Sequence, residues 1–140
     1  MNNLKKLKPF LGKWKTEGVI EKSPMGPSGK LKGKDSYSLI DNDEFILHTV
    51  EVKMAKKPVK NCEVISYDPK KKKFAMYAFE NGQMQGLQHG ILKGHDWQID
   101  GNGIRFRGSF NKSFSRLSGE WQYKEKSSWK RWMTLTLTKK

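Results

Sequence analysis

The chain has 140 residues, of which 28 are lysine or arginine and 14 are aspartate or glutamate, so its formal net charge is +14. It contains no run of about 18 apolar residues, which argues against a membrane-spanning helix, and its first ten residues lack the apolar stretch of a secretory signal. The single cysteine, Cys62, excludes an internal disulfide and is typical of a reducing compartment. We therefore expect one domain with one sizeable core, located in the cytoplasm.

The positive charge is typical of proteins that bind nucleic acids, but its distribution favours another interpretation. Of the 28 basic residues, 24 are lysine and only four are arginine, the residue that makes the bidentate contacts of base and phosphate recognition. The lysines are scattered except for Lys70–Lys73, and only Trp132 and Trp97 are expected on the outer face, too few to stack bases. We expect a solvated basic surface that binds nucleic acid weakly and without sequence specificity. The alternative is an interaction protein that binds nucleic acid or another polyanion through its lysines.

The chain is predicted to begin with a short helix or turn, followed by a strand. Leu4, Leu7 and Leu11 have helical spacing, which is enough for one short element at the base of the fold. Gly12-Lys13-Trp14 comes next. Its glycine lets the backbone bend, and the indole of Trp14 is then expected to close one end of a barrel.

From Gly12 onward the sequence divides into short runs separated by turn residues, the spacing of an antiparallel meander. The clearest turn is Asn81-Gly82, because a type I′ hairpin needs a positive φ at both central positions. The predicted strands are Gly12–Glu21, Lys32–Ile40, Glu44–Met54, Asn61–Tyr67, Lys73–Glu80, Met84–Leu92, Asp96–Asp100, Ile104–Phe110, Arg116–Lys124 and Trp129–Thr138.

Ten short strands joined by hairpins are expected to close on themselves, because an open sheet leaves edges that recruit other chains. Ten strands enclose a wider interior than eight, with room for a small ligand if side chains do not fill it. The Pro- and Gly-rich segment Ser23–Lys30 is predicted to be a surface loop and is a candidate lid. The sequence thus predicts an all-β fold, a ten-stranded antiparallel up-and-down β-barrel with a short N-terminal helix or turn. The alternative is a half-open sandwich with an unpaired edge.

Six short stretches, spread over nearly the whole chain, occur in the order found in one known family. They are Leu11–Trp14 with Thr16–Gly18, Phe45–Val50, Glu63–Asp68, Arg105–Gly108, Gly119–Trp121, and Trp132-Met133 with Leu137–Lys139. With them the chain resembles a bacterial family of lipocalin-like (calycin-type) β-barrels of unknown function. The resemblance implies an up-and-down barrel and brings no established reaction.

The Gly12-Lys13-Trp14 start is more distantly similar to that of the nitrobindins, ten-stranded barrels that hold haem, and the barrel resembles those of fatty-acid-binding proteins. Nitrobindins begin with Gly-x-Trp-x-Gly-x-Gly and carry their iron-ligating histidine on the last strand. Here Thr16 occupies the position of the middle glycine, and the last strand, around Trp129–Thr134, contains no histidine. The resemblance therefore disfavours haem, and we expect no cofactor.

His48 and Glu63 are the leading candidates for a polar anchor inside the barrel. In the third strand His48 alternates with Ile46, Val50 and other apolar residues, so it is expected to face the interior. Glu63 shares one face of the next strand with Ile65 and is expected beside His48. Such a pair suits a ligand head group or, at a minimum, acid–base chemistry, although a buried structural histidine is the plainer interpretation.

Three further residues are candidate ligand contacts. Alternation places Trp121 inside the barrel, where it either packs in the core or contacts a ligand, and Tyr77 is expected to offer its hydroxyl to the interior. Arg105 alternates with the apolar Ile104 and Phe106, so alternation directs it outward. The family resemblance instead implies a place in the cavity, where it would bind a carboxylate as arginines do in fatty-acid carriers.

The remaining chemistry-bearing residues are assigned structural roles. If the last strand pairs with the first, Lys139 falls beside Trp14 and lays its ammonium on the indole, so that Gly12, Trp14 and Lys139 form the barrel floor. The three histidines and Cys62 lack the close spacing of metal ligands, so no metal site is expected, and Cys62 and Glu63 cannot both face His48. We therefore expect a non-enzymatic carrier or sensor of a small, mainly apolar molecule, with the oligomeric state left open.

Overall fold

The computed structural model describes residues 3–140 as ten antiparallel strands that close into a barrel after a short 3₁₀-helix, Asn3–Phe10. Each strand pairs with its neighbours along the chain, and β1 pairs with β10, so the described chain leaves no edge open. The predicted ten-stranded barrel is confirmed, and the half-open sandwich is wrong. The strands are β1 (Gly12–Ile20), β2 (Gly29–Ile40), β3 (Phe45–Met54), β4 (Lys57–Asp68), β5 (Lys73–Glu80), β6 (Gln83–Lys93), β7 (Asp96–Gly101), β8 (Ile104–Phe110), β9 (Arg116–Glu125) and β10 (Ser128–Lys139).

Most strand boundaries agree with the prediction to within one residue, but the starts of β2 and β4 do not. β2 begins at Gly29, three residues before its predicted start, so the last two residues of the predicted loop Ser23–Lys30 belong to a strand. Asn81 (φ 53°) and Gly82 (φ 76°) adopt the expected left-handed conformation between β5 and β6. Ala55 (φ 50°) and Lys56 (φ 71°) adopt it as well, in a two-residue hairpin made without glycine or asparagine. The pattern carries no turn signal there, and β4 therefore begins at Lys57, four residues before the predicted start.

In the N-terminal 3₁₀-helix a buried apolar residue occurs at every third position. Leu4, Leu7 and Phe10 are all buried, which is the period of a 3₁₀-helix, in which side chains three apart eclipse one another. The sequence analysis expected Leu11 to follow Leu4 and Leu7 on this face. That is wrong: Phe10 takes the place, and Leu11 is only half-buried. Among residues 3–140, no helix is long and apolar enough to cross a membrane.

Phe10 plugs the floor of the barrel. Its ring centroid lies 5.0 Å from the rings of Tyr37, Trp97 and Phe110, so the helix end is inserted among strands from both sides of the barrel. Trp97 is 3% exposed, and its expected place on the outer face is therefore wrong.

Trp14 and Lys139 complete the floor as predicted. The two residues are directly opposite in the β1–β10 pairing, and the Lys139 ammonium lies 5.1 Å from the indole ring centre. Trp14 Nε1 donates to the Phe10 carbonyl at 2.7 Å, and Lys139 Nζ donates to the Pro9 carbonyl at 2.9 Å. Gly12, with φ 123°, provides the bend from helix to strand.

The hydrophobic core contains many buried residues at the floor of the barrel and few at the opposite end. The floor cluster contains fifteen buried residues from the helix and the strands, whereas the opposite cluster contains four: Ile20, Leu31, Val52 and Met133. Members of both clusters line a cavity inside the barrel.

We expect Lys139→Met to lower the free energy of unfolding by about 1–2 kcal/mol, because it removes a charged donor from the Pro9 carbonyl and a cation from the indole while keeping an apolar stem. Urea unfolding followed by tryptophan fluorescence measures the change. Lys140→Met, one residue away and exposed, is the matched control and should shift stability by less than about 0.5 kcal/mol. Equal effects of the two substitutions would contradict the role given to Lys139.

Candidate ligand-binding cavity

The interior of the barrel contains a cavity of about 490 Å³ lined by residues of all ten strands. This volume lies within the range of small-molecule sites. Its wall is mostly apolar and includes six large aromatic side chains, namely Tyr37, Phe79, Trp97, Phe106, Trp121 and Trp132. One group of polar side chains in the wall lies on β2, β3 and β4, and a second group, Glu80, Gln85 and Gln88, lies on β5 and β6.

His48 lies between two carboxylates in the first of these groups. Cross-strand pairing sets it opposite Tyr37 on β2 and Glu63 on β4. The ring nitrogens Nδ1 and Nε2 lie 2.6 Å from Glu63 Oε1 and from Asp35 Oδ2, respectively. The prediction that Glu63 lies beside an inward-facing His48 is confirmed.

Two neighbours fix this group in place. Thr16 donates its hydroxyl to Asp35 Oδ1, so both oxygens of Asp35 accept hydrogen bonds. The ring of Tyr37 stacks on the imidazole, with 4.0 Å between the ring centres and 8° between the planes. We call Thr16, Asp35, Tyr37, His48 and Glu63 the anchor cluster.

The anchor cluster holds His48 as a cation. Burial disfavours the charged imidazole, but the Glu63 charge and the hydrogen bonds to both carboxylates outweigh burial and raise the pKa of His48 from 6.5 to about 9. Burial, reinforced by Asp35 and Glu63, raises the pKa of Tyr37 well above 10, so its phenol stays neutral. At neutral pH the cluster therefore contains one imidazolium between two carboxylate groups.

Protonation and the two carboxylate hydrogen bonds disfavour several uses of His48. An imidazolium donates from both nitrogens and has no lone pair for a metal or haem iron, and a group with a pKa of about 9 is a poor general base at neutral pH. Both nitrogens face carboxylates, so Cys62 is not paired with His48. His48 is the one histidine that lines the cavity within residues 3–140, and no metal-binding group of three or more ligands occurs in that range.

Trp121 lines the cavity as expected and packs edge-on against Phe106, with ring centres 5.4 Å apart. Trp132 also lines the cavity, so its predicted place on the outer face is wrong. The β9–β10 register shifts between Arg131 and Met133, which leaves Trp132 as an extra residue. This bulge allows consecutive side chains of β10 to reach the cavity.

Tyr77 and Arg105 lie outside the cavity. On β5 the cavity is lined by Met76 and Ala78, and Tyr77 between them is 37% exposed, so the expectation that its hydroxyl faces the interior is wrong. Alternation with Phe79 predicts an inward Tyr77, but Phe79 lines the cavity at the strand end, where the β5–β6 register shifts.

Arg105 stacks its guanidinium 4.2 Å from the centre of the Trp129 ring and donates to the Gln122 side chain, on the outside of the barrel. The outward direction given by strand alternation is therefore confirmed. The cavity position implied by the resemblance to fatty-acid carriers is wrong, because Ile104 and Phe106 on either side of Arg105 occupy the inward face.

Sequence reasoning missed three members of the anchor cluster, Thr16, Asp35 and Tyr37. A signal was present, because Asp35 alternates with Leu31, Gly33 and Tyr37 along β2 and therefore shares their inward face. An aspartate within an inward-facing apolar series needs a buried partner, and His48 on the adjacent strand is that partner.

Comparison with known proteins identifies a family and a fold. The family model described as "Protein of unknown function (DUF1579)" matches residues 2–138. The crystal structure of Rv2717c from M. tuberculosis is similar, with a TM-score of 0.67 and 13% sequence identity over 98% of this chain and 96% of that one, a likeness that concerns the fold alone. No curated protein matches the chain.

We expect the free energy of unfolding to fall by about 3 kcal/mol between pH 6.5 and pH 9. The folded chain keeps the His48 proton to about pH 9, whereas the unfolded chain releases it near 6.5, so this stabilisation is complete below 6.5 and lost as pH rises through 9. Urea titrations across this range measure the slope, and His48→Gln should flatten it.

The imidazole resonances give an independent reading of the same proton. At pH 7.5 NMR should show His48 protonated and His89 neutral, because burial and the nearby Lys71 and Lys73 lower the pKa of His89. A neutral His48 at this pH would contradict the assignment.

Proposed function

The chain belongs to the DUF1579 family, whose description assigns no activity, and we propose that it binds a small, mainly apolar molecule inside the barrel as a non-enzymatic carrier or sensor. The observation that carries the proposal is the anchor cluster at the wall of a mostly apolar cavity. Small-molecule sites combine apolar walls with a few fixed polar groups, because the walls supply affinity and the polar groups supply orientation.

A carrier fits these residues better than an enzyme. His48 holds its proton at neutral pH, both of its nitrogens are engaged by carboxylates, and among residues 3–140 no serine, threonine or cysteine side chain is hydrogen-bonded to it. The anchor cluster is thus suited to holding a polar group in place rather than to transferring a proton.

The lipocalin-like relationship belongs to the same proposal. It is supported by the Gly12-Lys13-Trp14 start and by Lys139 on the indole of Trp14, which together close one end of the barrel. The free Cys62 supports a reducing compartment such as the cytoplasm.

Native mass spectrometry of protein purified from its own host, followed by thermal shifts with lipids and metabolites, tests the proposal. We expect a bound mass and a ligand that raises Tm by about 8 °C at 100 times its Kd, because binding to the folded state adds about 3 kcal/mol. An apo mass together with no shift across the panel would contradict it.

Two neighbouring residues of β5 provide matched variants. Ala78 lines the cavity opposite Glu63, so Ala78→Phe should fill the cavity and abolish the thermal shift. Tyr77→Phe removes only an outward hydroxyl and should leave the shift unchanged. Loss of binding in Tyr77→Phe alone would place the ligand on the outer surface instead.

A second candidate function is polyanion binding on the basic exterior. A groove of about 480 Å³ crosses the outer face of β2–β4 and is lined by five lysines: Lys32, Lys34, Lys53, Lys60 and Lys140. Glu51, in the same groove, already forms ion pairs with Lys34 at 3.6 Å and Lys60 at 3.4 Å. Such exposed lysines favour a non-specific contact over a shaped recognition site.

We expect binding to DNA or RNA to be weak, independent of sequence and steeply reduced by salt, because it arises from counterion release. Replacing Lys70–Lys73, which occupy the β4–β5 turn and the start of β5, with glutamine should remove most of it and barely change stability. Replacing Lys32, Lys34, Lys53 and Lys60 with glutamine removes the same number of positive charges from the groove. The variant that loses more binding identifies the contact surface. Tight binding that survives about 0.3 M salt, or sequence discrimination, would favour nucleic acid as the partner.

A further inference from the structure

The ionisable groups of the cavity wall are predominantly acidic. Among residues 3–140, three carboxylate residues line the cavity, Asp35, Glu63 and Glu80, against a single basic residue, His48. None of the lysines or arginines of the chain lines it, although they number 28. The strongly basic exterior therefore encloses an interior of opposite sign.

The two carboxylates of the anchor cluster have one oxygen to spare. Asp35 uses both oxygens, for Thr16 and His48, and His48 uses both nitrogens. Glu63 uses Oε1 for His48, and Oε2 has no partner among the described residues. Because the imidazolium balances only one carboxylate, the unused oxygen belongs to a group with a net negative charge.

The sign of this charge discriminates between ligands. An anionic head group would face Glu63 and Asp35 with no lysine or arginine beside it, and an uncompensated charge in an apolar cavity is strongly disfavoured. A cationic donor would compensate the surplus charge and satisfy Glu63 Oε2 with a charge-assisted hydrogen bond. The aromatic walls, with Trp121 and Trp132, attract cations through their ring faces as well as burying hydrocarbon.

We infer that the cavity takes a lipophilic organic cation, an aryl- or alkylammonium, whose N–H donates to Glu63 Oε2 while its hydrocarbon body packs against the aromatic wall. The inference rests on the proposed function and specifies the chemical class of the ligand. Glu63 is the binding residue, and His48 and Asp35 position it. This selectivity is opposite to that of a fatty-acid carrier, which holds a carboxylate with arginine.

A series of three compounds with the same naphthylmethyl body tests the inference: 1-naphthylmethylamine, 1-naphthylmethanol and 1-naphthylacetate. Titration calorimetry at pH 7 and 0.15 M salt measures each Kd on the wild-type chain. We expect the ammonium to bind at least tenfold more tightly than the alcohol and the carboxylate to bind most weakly. Because the comparison uses the wild-type protein, it does not depend on the folding of any variant.

Glu63→Gln identifies the residue responsible. It should lower the affinity for the amine at least tenfold and that for the alcohol less than threefold, because the amide keeps an acceptor for His48 but removes the charge. Glu51→Gln is the matched control: it makes the same change in net charge on the outer face, next to the anchor cluster on β3, and should leave both affinities within twofold. Circular dichroism checks that both variants are folded.

The outcomes separate the inference from the function on which it rests. Equal binding of amine and alcohol, or preferred binding of the carboxylate, would overturn the cationic ligand while leaving a ligand-binding barrel. Unchanged amine preference in a folded Glu63→Gln would overturn the role of Glu63. If no compound of the series binds, the inference fails, whereas the proposed function is overturned only by an apo mass together with no shift across the lipid and metabolite panel.

Discussion

The structure depends on closure of the barrel between β1 and β10, which is held by the contacts at its floor. The backbone carbonyls of Pro9 and Phe10 accept hydrogen bonds from Lys139 and Trp14, which pair across the closing strands. The N-terminal helix is thereby fastened to both ends of the sheet at one point. Phe10 then fills the floor, and this packing leaves the opposite half of the barrel free to hold a cavity.

A buried charge is tolerated in this cavity only because its partners are fixed by cross-strand register. Tyr37, His48 and Glu63 occupy paired positions on β2, β3 and β4, and a register slip of one residue would move each of them to the outer face. The closed hydrogen-bond ladder therefore maintains the anchor cluster. The same ladder holds a cavity of about 490 Å³ open, although unfilled apolar volume destabilises a core.

The fold could be predicted from the sequence because turn chemistry and alternation are local. Asn81-Gly82 specifies its own hairpin, and His48 and Glu63 follow from strict alternation in β3 and β4. The errors at Tyr77 and Trp132 arise near shifts of strand register, which depend on pairing with a neighbouring strand and leave no mark in the sequence of one strand. Asp35 was missed although alternation with Leu31 and Tyr37 already indicates an inward side chain, whereas the hairpin at Ala55-Lys56 was missed because these residues carry no turn signal.

The two register shifts have a common consequence for the cavity. One brings Phe79 and Gln85 to the wall, and the other allows Trp132 and Met133, consecutive residues of β10, to line it together. A regular strand gives the interior only alternate side chains, so these shifts add side chains where the core cluster is smallest. The position of the shifts, rather than the barrel alone, therefore determines how far the aromatic wall extends from the anchor cluster toward the end opposite the floor.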